Sequence, residues 1–159
     1  MKVNSILPLL LLFCTAHPLF SQSAESLAKA LQSVLGQPEV EEALQTYWPE
    51  GTAFHLRADE GQSRLKSSFS QAFTALQPGD VETPQGRAFN PLFPGEESQL
   101  PAESRDWGII DLGGTFRGDV LSLHFFATLP GGRQQMLGSY VLRQSGGSWA
   151  IEQQQFSIR

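Results

Sequence analysis

From residue 107 to residue 158 the chain alternates long runs of β-branched and aromatic residues with short glycine punctuation. The runs are residues 107–112, 115–129, 135–144 and 148–158, and between them stand Gly113-Gly114, Pro130-Gly131-Gly132 and Ser145-Gly146-Gly147. Glycine takes up the positive φ that tight hairpin turns need. Consecutive strands joined by such turns form an antiparallel meander. A four-strand meander therefore occupies the C-terminal third, and the remainder of the fold has to be built around it.

The preceding part reads as helix, helix, strand, helix. In residues 25–35, Leu27, Ala30, Leu31, Val34 and Leu35 form one apolar stripe at helical spacing. Ser23 is placed to cap that helix and Gly36 to stop it. Pro38 suits the first turn of a second helix, with Glu39, Glu41 and Glu42 near its positive end. Val40, Ala43, Leu44 and Tyr47 give it a buried face, and Trp48-Pro49 ends it. Residues 51–57 alternate as a strand, Phe54 and Leu56 on one side, His55 and Arg57 on a solvated side. A turn at Asp59-Glu60-Gly61 leads to a third helix over residues 63–76, with Leu65, Phe69, Ala72, Phe73 and Leu76 at helical spacing. Pro84, Pro91, Pro94 and Pro101 then punctuate a stretch that holds a short strand within 81–89 and a long surface loop over 90–105. Phe89, Leu92 and Phe93 are available to pin that loop to the body.

The N-terminus has the pattern of an export signal. Lys2 precedes an apolar run over residues 6–13, and Ser21, Ser23 and Ala24 are small enough to flank a cleavage point. The run is too short for a spanning helix, which needs about 20 apolar residues. Residues 1–23 are read as the signal, cut after Ser21 or Ser23, and residues 24–159 as one domain. Cys14 follows Phe13 rather than a small residue, so it is read as part of the signal and not as a lipoprotein anchor. The exported chain then has no cysteine, which removes disulfides, thiolate zinc sites and a cysteine nucleophile. No later segment is long and apolar enough to span a membrane. A net charge of −5 and a pI near 5.1 argue against nucleic-acid binding.

Two or three helices, one early strand and a long meander resemble the NTF2-like superfamily. The ending Gly146-Gly147-Ser148-Trp149-Ala150-Ile151 is similar to the final strand of that superfamily, and residues 40–48, 52–57 and 63–76 are similar to its front half. Glu60-Gly61, Leu123-His124-Phe125-Phe126 and Gln153-Gln154 further resemble a small exported branch from Bacteroidota that implies no particular activity. The resemblance implies an α+β cone, with helices packed into a strongly curved antiparallel sheet. The proline-rich insertion departs from it and would alter one rim of any pocket.

Enzymes of that superfamily place an acidic base and a Tyr or acid donor in one apolar cavity. The candidates here are Asp111, His124 and Tyr140. Asp111 shares a strand face with Trp107 and Ile109, and is either a buried base, if that face is concave, or a solvated residue of the turn at Gly113-Gly114. His124 shares a face with Val120, Ser122 and Phe126, and lines either a pocket or a subunit surface, or is a structural residue. Tyr140 shares a face with Met136, Gly138 and Leu142, as core or pocket. In Glu152-Gln153-Gln154-Gln155 the amides cannot all point inward, and a bulge would re-aim one of them. No spacing joins His55 or His124 to Asp59 or Asp111 as a metal site, and no phosphate loop or other cofactor signature is present. The expected function is an exported, non-enzymatic module that binds a small apolar ligand or a protein partner, with a homodimer through the sheet as one form. The alternative is a small cone-type enzyme, isomerase-like or lyase-like, with a pocket acid/base.

Overall fold

The computed structural model describes residues 23–58 and 67–159. The expected export signal, the expected turn at 59–61 and the first residues of the third expected helix lie outside the described residues. Helix α1 spans Ala24–Leu35, α2 Pro38–Tyr47 and α3 Ser68–Thr74. The strands are β1 Ala53–Ala58, β2 Val81–Glu82, β3 Ala88–Leu92, β4 Gly108–Arg117, β5 Val120–Thr128, β6 Gln135–Ser145 and β7 Ser148–Ile158. They form one seven-stranded sheet in the order β2-β3-β1-β4-β5-β6-β7.

The sheet curls 214° around an axis into a half-barrel, and the helices pack on it. Helix α1 lies inside the curl and touches both ends of the sheet. Gln32 Nε2 donates to the Asp80 carbonyl at 3.1 Å beside β2, and Trp149 Nε1 of β7 donates to the Ser26 carbonyl at 2.9 Å. The helix starts where a side chain satisfies an orphan donor: Ser23 Oγ accepts from the Ser26 N–H at 3.1 Å, and Ser67 does the same for Ser70 at the start of α3. Helix α2 has no such cap and is stapled by Arg87 instead. The Arg87 guanidinium donates to Glu41 at 2.8 Å, to Gln45 at 2.7 Å and to the Gly51 carbonyl.

The concave face is the hydrophobic core. Leu27, Leu31 and Leu35 of α1, Phe69 and Phe73 of α3, and Phe54, Leu112, Leu123 and Tyr140 of the sheet are all fully or nearly fully buried. The expected α+β architecture with helices on a curved sheet is thus the observed one.

The sheet is mixed rather than wholly antiparallel. β1 runs parallel to both β3 and β4, while β4 to β7 form the expected antiparallel meander. A parallel neighbour requires a crossover, and the chain between β1 and β3, which includes α3 and β2, supplies it. The first part of the expected long loop is strand β3, and the rest includes two single 3-10 turns, Glu97–Gln99 and Ala102–Ser104.

Gly113-Gly114 is not a turn: β4 runs straight through it, and the hairpin reverses at Gly118, where φ is +62°. The glycines serve close approach instead. A Cβ on Gly113 would collide with the His124 imidazole on one face, and a Cβ on Gly114 would sit 2.6 Å from the Phe69 ring on the other. A bulge does interrupt β7. Leu142 pairs with Ile151 but Val141 with Gln153, so Glu152 is the extra residue. The bulge keeps Trp149, Ile151, Gln154 and Phe156 on the concave side, and turns Gln153 and Gln155 outward.

Candidate functional site

The alternation of β4 and β5 puts Asp111 and His124 on the convex face, outside the core. Ile110 and Leu112 point inward and are fully buried, so Ile109, Asp111 and Gly113 point outward. In β5, Leu121, Leu123 and Phe125 are buried, and Ser122, His124 and Phe126 are exposed. Tyr140 of β6 points the other way, into the concave core. The structure thus separates the three candidates by the thickness of the sheet: Asp111 and His124 share one face, and Tyr140 lies behind it.

The convex face over β1 and the start of β4 is covered by residues 93–107. Asp111 is only 7% exposed there, and it is neither at a strand end nor in a turn. Its carboxylate accepts two bonds from one guanidinium, Arg57 Nε at 2.6 Å and Arg57 Nη2 at 3.1 Å. The third arm of Arg57, Nη1, reaches Glu97 of the covering segment at 2.8 Å. The hydrogen bonds to Asp111 and then to Glu97 push the Arg57 pKa further up, so its charge is permanent. An Asp held this way has both oxygens engaged and is an anchor rather than a free base.

His55, expected on a solvated face, is 3% exposed. Its Nε2 lies 2.8 Å from the Ser104 carbonyl, and its ring packs on Trp107 with centroids 5.1 Å apart. The cover supplied by residues 93–107 is the reason: alternation does direct His55 outward, but another part of the chain lies there.

Over β5, β6 and β7 no described residue covers the convex face. Cross-strand register brings His124 opposite Ser139, and Ser139 opposite Gln155; the next row is Ser122, Val141 and Gln153. Neighbouring strands stand about 4.8 Å apart, so these groups make a compact array. A shallow depression of about 340 Å³ lies among Ser122, His124, Ser139, Gln153 and Gln155. Their side chains make no hydrogen bond to another described residue. Phe126 stands beside them, opposite Leu137 and 37% exposed. The imidazole of His124 leans over Gly113, toward β4 and away from Ser139, so the two do not form a nucleophile–base pair.

In the core, Tyr140 is 1% exposed and stacks on Phe125 with ring centroids 5.9 Å apart. Its hydroxyl has no hydrogen-bond partner among the described residues. Burial first, and the negative charge of Glu39 second, push its pKa well above the ordinary tyrosine range. Among the described residues no cluster of three or more His, Cys, Asp or Glu is placed to hold a metal, and no helix is long and apolar enough to cross a membrane.

Sequence reasoning missed Arg57, the partner that commits Asp111. No local signal marked it: His55 and Arg57 alternate with core residues, the pattern of a solvated strand face. It also missed Ser139, which becomes part of the array only through register with His124. Set beside known protein families, curated proteins and solved structures, the chain matches none.

Proposed function

We propose that the protein is an exported, non-enzymatic binding module of the NTF2-like cone type, and that it binds through the open convex face of β5–β7. The observation that carries this reading is the contrast in hydrogen-bond commitment. The polar groups near Asp111 are engaged with one another, whereas Ser122, His124, Ser139, Gln153 and Gln155 surround a depression with their donors and acceptors unused. Uncommitted hydrogen-bonding groups beside an exposed aromatic ring are the usual composition of a recognition surface. The ligand is a small molecule or a protein surface that offers apolar contact to Phe126 and hydrogen bonds to the row behind it.

A second reading keeps the cone interior as a catalytic site. It is favoured by the Tyr140 hydroxyl, which is buried, protonated and unpartnered, as an oxyanion donor would be. An amide-resolved NMR screen of small ligands against residues 22–159 separates the two. Shifts clustered on Ser122, His124, Ser139 and Gln155, lost in His124→Ala, support the binding face. Shifts clustered on Tyr140 and Glu39 transfer the site to the interior and sink the first reading.

Export rests on the pattern of residues 1–23. Ser23 caps α1 through Ser26, and losing such a cap costs about 1 kcal/mol. Cleavage after Ser21 keeps the cap and is the expected site. N-terminal sequencing of the chain purified from its producing cells and their medium reads Gln22 first if this holds, and Met1 if the export reading is wrong.

A further inference from the structure

The outer edge of β7 has a hydrogen-bonding pattern of its own. Gln135 and Arg159 exchange both backbone hydrogen bonds, at 2.7 and 2.9 Å. In an antiparallel ladder such pairs alternate with pairs whose N–H and C=O groups point away from each other. Counting back along the register, Ser157, Gln155 and Gln153 direct their backbone groups to Leu137, Ser139 and Val141 of β6. Gln154, Phe156 and Ile158 therefore turn theirs outward, and among the described residues no strand lies beyond β7.

The rest of this edge is shielded. Trp149 is tied to α1 through Ser26, Ser33 of α1 and Gln37 at the start of α2 line a depression with Trp149 and Ile151 that reaches Gln153 and Gln154, and the bulge at Glu152 interrupts the ladder. The opposite edge of the sheet, β2, is two residues long. Residues 153–158 are thus the open edge. Open edges are normally protected by Lys, Pro or inward charges, and this one reads Gln-Gln-Gln-Phe-Ser-Ile, with Ile158 36% exposed. Charge stands at its ends, Glu152 before it and Arg159 after it.

We infer that a second copy of this chain pairs along this edge, β7 against β7 and antiparallel, to make one continuous sheet across a two-fold axis. The edge is complementary to itself. Two registers bring the outward groups together: Phe156 faces the partner's Phe156, or Gln154 faces the partner's Phe156. In the first, Arg159 faces the partner's Gln153, and in the second the partner's Ile151, so in either it lies next to the partner's Glu152. That carboxylate, already held on its own chain by Arg143, then sits between two guanidinium groups, and the reverse contact follows by symmetry. An unrelated extended peptide would satisfy the backbone equally well but would not supply both charges in place. The pairing leaves the convex faces free and sets two of them side by side, so it stands or falls independently of what that face binds.

Sedimentation velocity of residues 22–159, over a concentration series at low salt, tests it. The expected result is a monomer–dimer equilibrium that weakens with added salt. Phe156→Pro removes an outward N–H without touching the β6 ladder and abolishes the dimer. The pair Gln154→Lys with Ile158→Lys places like charges across the two-fold and weakens it about tenfold or more. The Lys variant decides the matter if the Pro variant does not fold. Phe126→Arg, on the convex face, leaves the dimer intact. A monomer at every concentration overturns the inference. So does a dimer that survives the Lys pair and is lost in Phe126→Arg, because the convex face would then be the subunit contact.

Discussion

Asp111 and His124 lie on adjacent strands and on the same face of the same sheet, yet they meet different surroundings. Asp111 is under residues 93–107 and bonded twice to Arg57. His124 is in the open, and its ring leans over a glycine. The convex face is thus divided into a covered half, where polar side chains anchor the cover, and an open half, where Arg143 is paired with Asp119 and Glu152 at one end and Ser122, His124, Ser139, Gln153 and Gln155 bond to no described side chain. Outward direction alone does not make a residue available; what the rest of the chain lays over it does. The same holds for His55 and Ser122, both outward-facing, one buried on Trp107 and the other exposed.

The largest expected effect breaks the covered half. Arg57→Met removes the only hydrogen-bonding partner described for a carboxylate that is 10% exposed. Arg57 is itself 37% exposed, so the loss lies between that of a surface pair and that of a buried one, about 2 kcal/mol, and urea unfolding should show it. Substituting both residues with apolar side chains of similar volume should recover most of it. A loss within experimental error would mean the cover is held by packing alone.

A sharper comparison comes from neighbouring glycines that face opposite sides. Gly114→Ala drives a methyl group against Phe69, which is fully buried and cannot yield; overpacking of this kind costs about 1–3 kcal/mol. Gly113→Ala meets the end of His124, which is exposed and can swing aside, so its cost should be about 1 kcal/mol or less. His124→Ala should relieve Gly113→Ala and leave Gly114→Ala unchanged. Equal costs for the two glycines would show that His124 is held as firmly as Phe69.

Tyr140 tests the concave side of the same strands. Its pKa is raised in the folded state by burial and by Glu39. The unfolded chain therefore gives up this proton first, near the ordinary pKa of about 10. Its contribution to stability is present in full below that pH and falls as pH rises through the folded pKa. Tyr140→Phe should flatten the alkaline loss, and at neutral pH it should be neutral or stabilising by about 1 kcal/mol, since the hydroxyl has no partner among the described residues. Equilibrium unfolding at neutral and alkaline pH checks both. Marked destabilisation at neutral pH would mean that the hydroxyl is bonded in solution.

The smallest effects belong to the open half. Ser122→Ala, Ser139→Ala and Gln155→Ala should each change stability by less than about 0.5 kcal/mol, because each side chain is exposed and unbonded within the described chain. A loss as large as that of Arg57→Met in any of them would erase the difference between the two halves.

Much of the scaffold was legible. The stripe from Leu27 to Leu35 marks α1 because a 3.6-residue period admits no other regular structure, and Ser23 caps it as expected. The meander was legible because alternation and glycine turns are local signals. Three readings failed for one reason. Gly113-Gly114 looks like a turn in sequence, but the glycines answer to His124 and Phe69, which are distant in the chain. His55 was expected in solvent because Ser104 and Trp107 are about fifty residues away. Asp111 was read without Arg57, whose approach depends on β1 lying parallel to β4. The split of Asp111, His124 and Tyr140 between faces follows from alternation, but which face is concave does not.

The sequence by itself determined most local elements, the presence of a four-strand meander and the buried stripe of α1, because these depend on periods of two and 3.6 residues and on turn chemistry. Only the tertiary structure decided which polar residues are spent and which are free. That choice depends on where a proline-rich segment comes to rest on the sheet, and on the pairing of β1 with β3 and β4. Both are long-range contacts, with no periodicity in the chain to announce them.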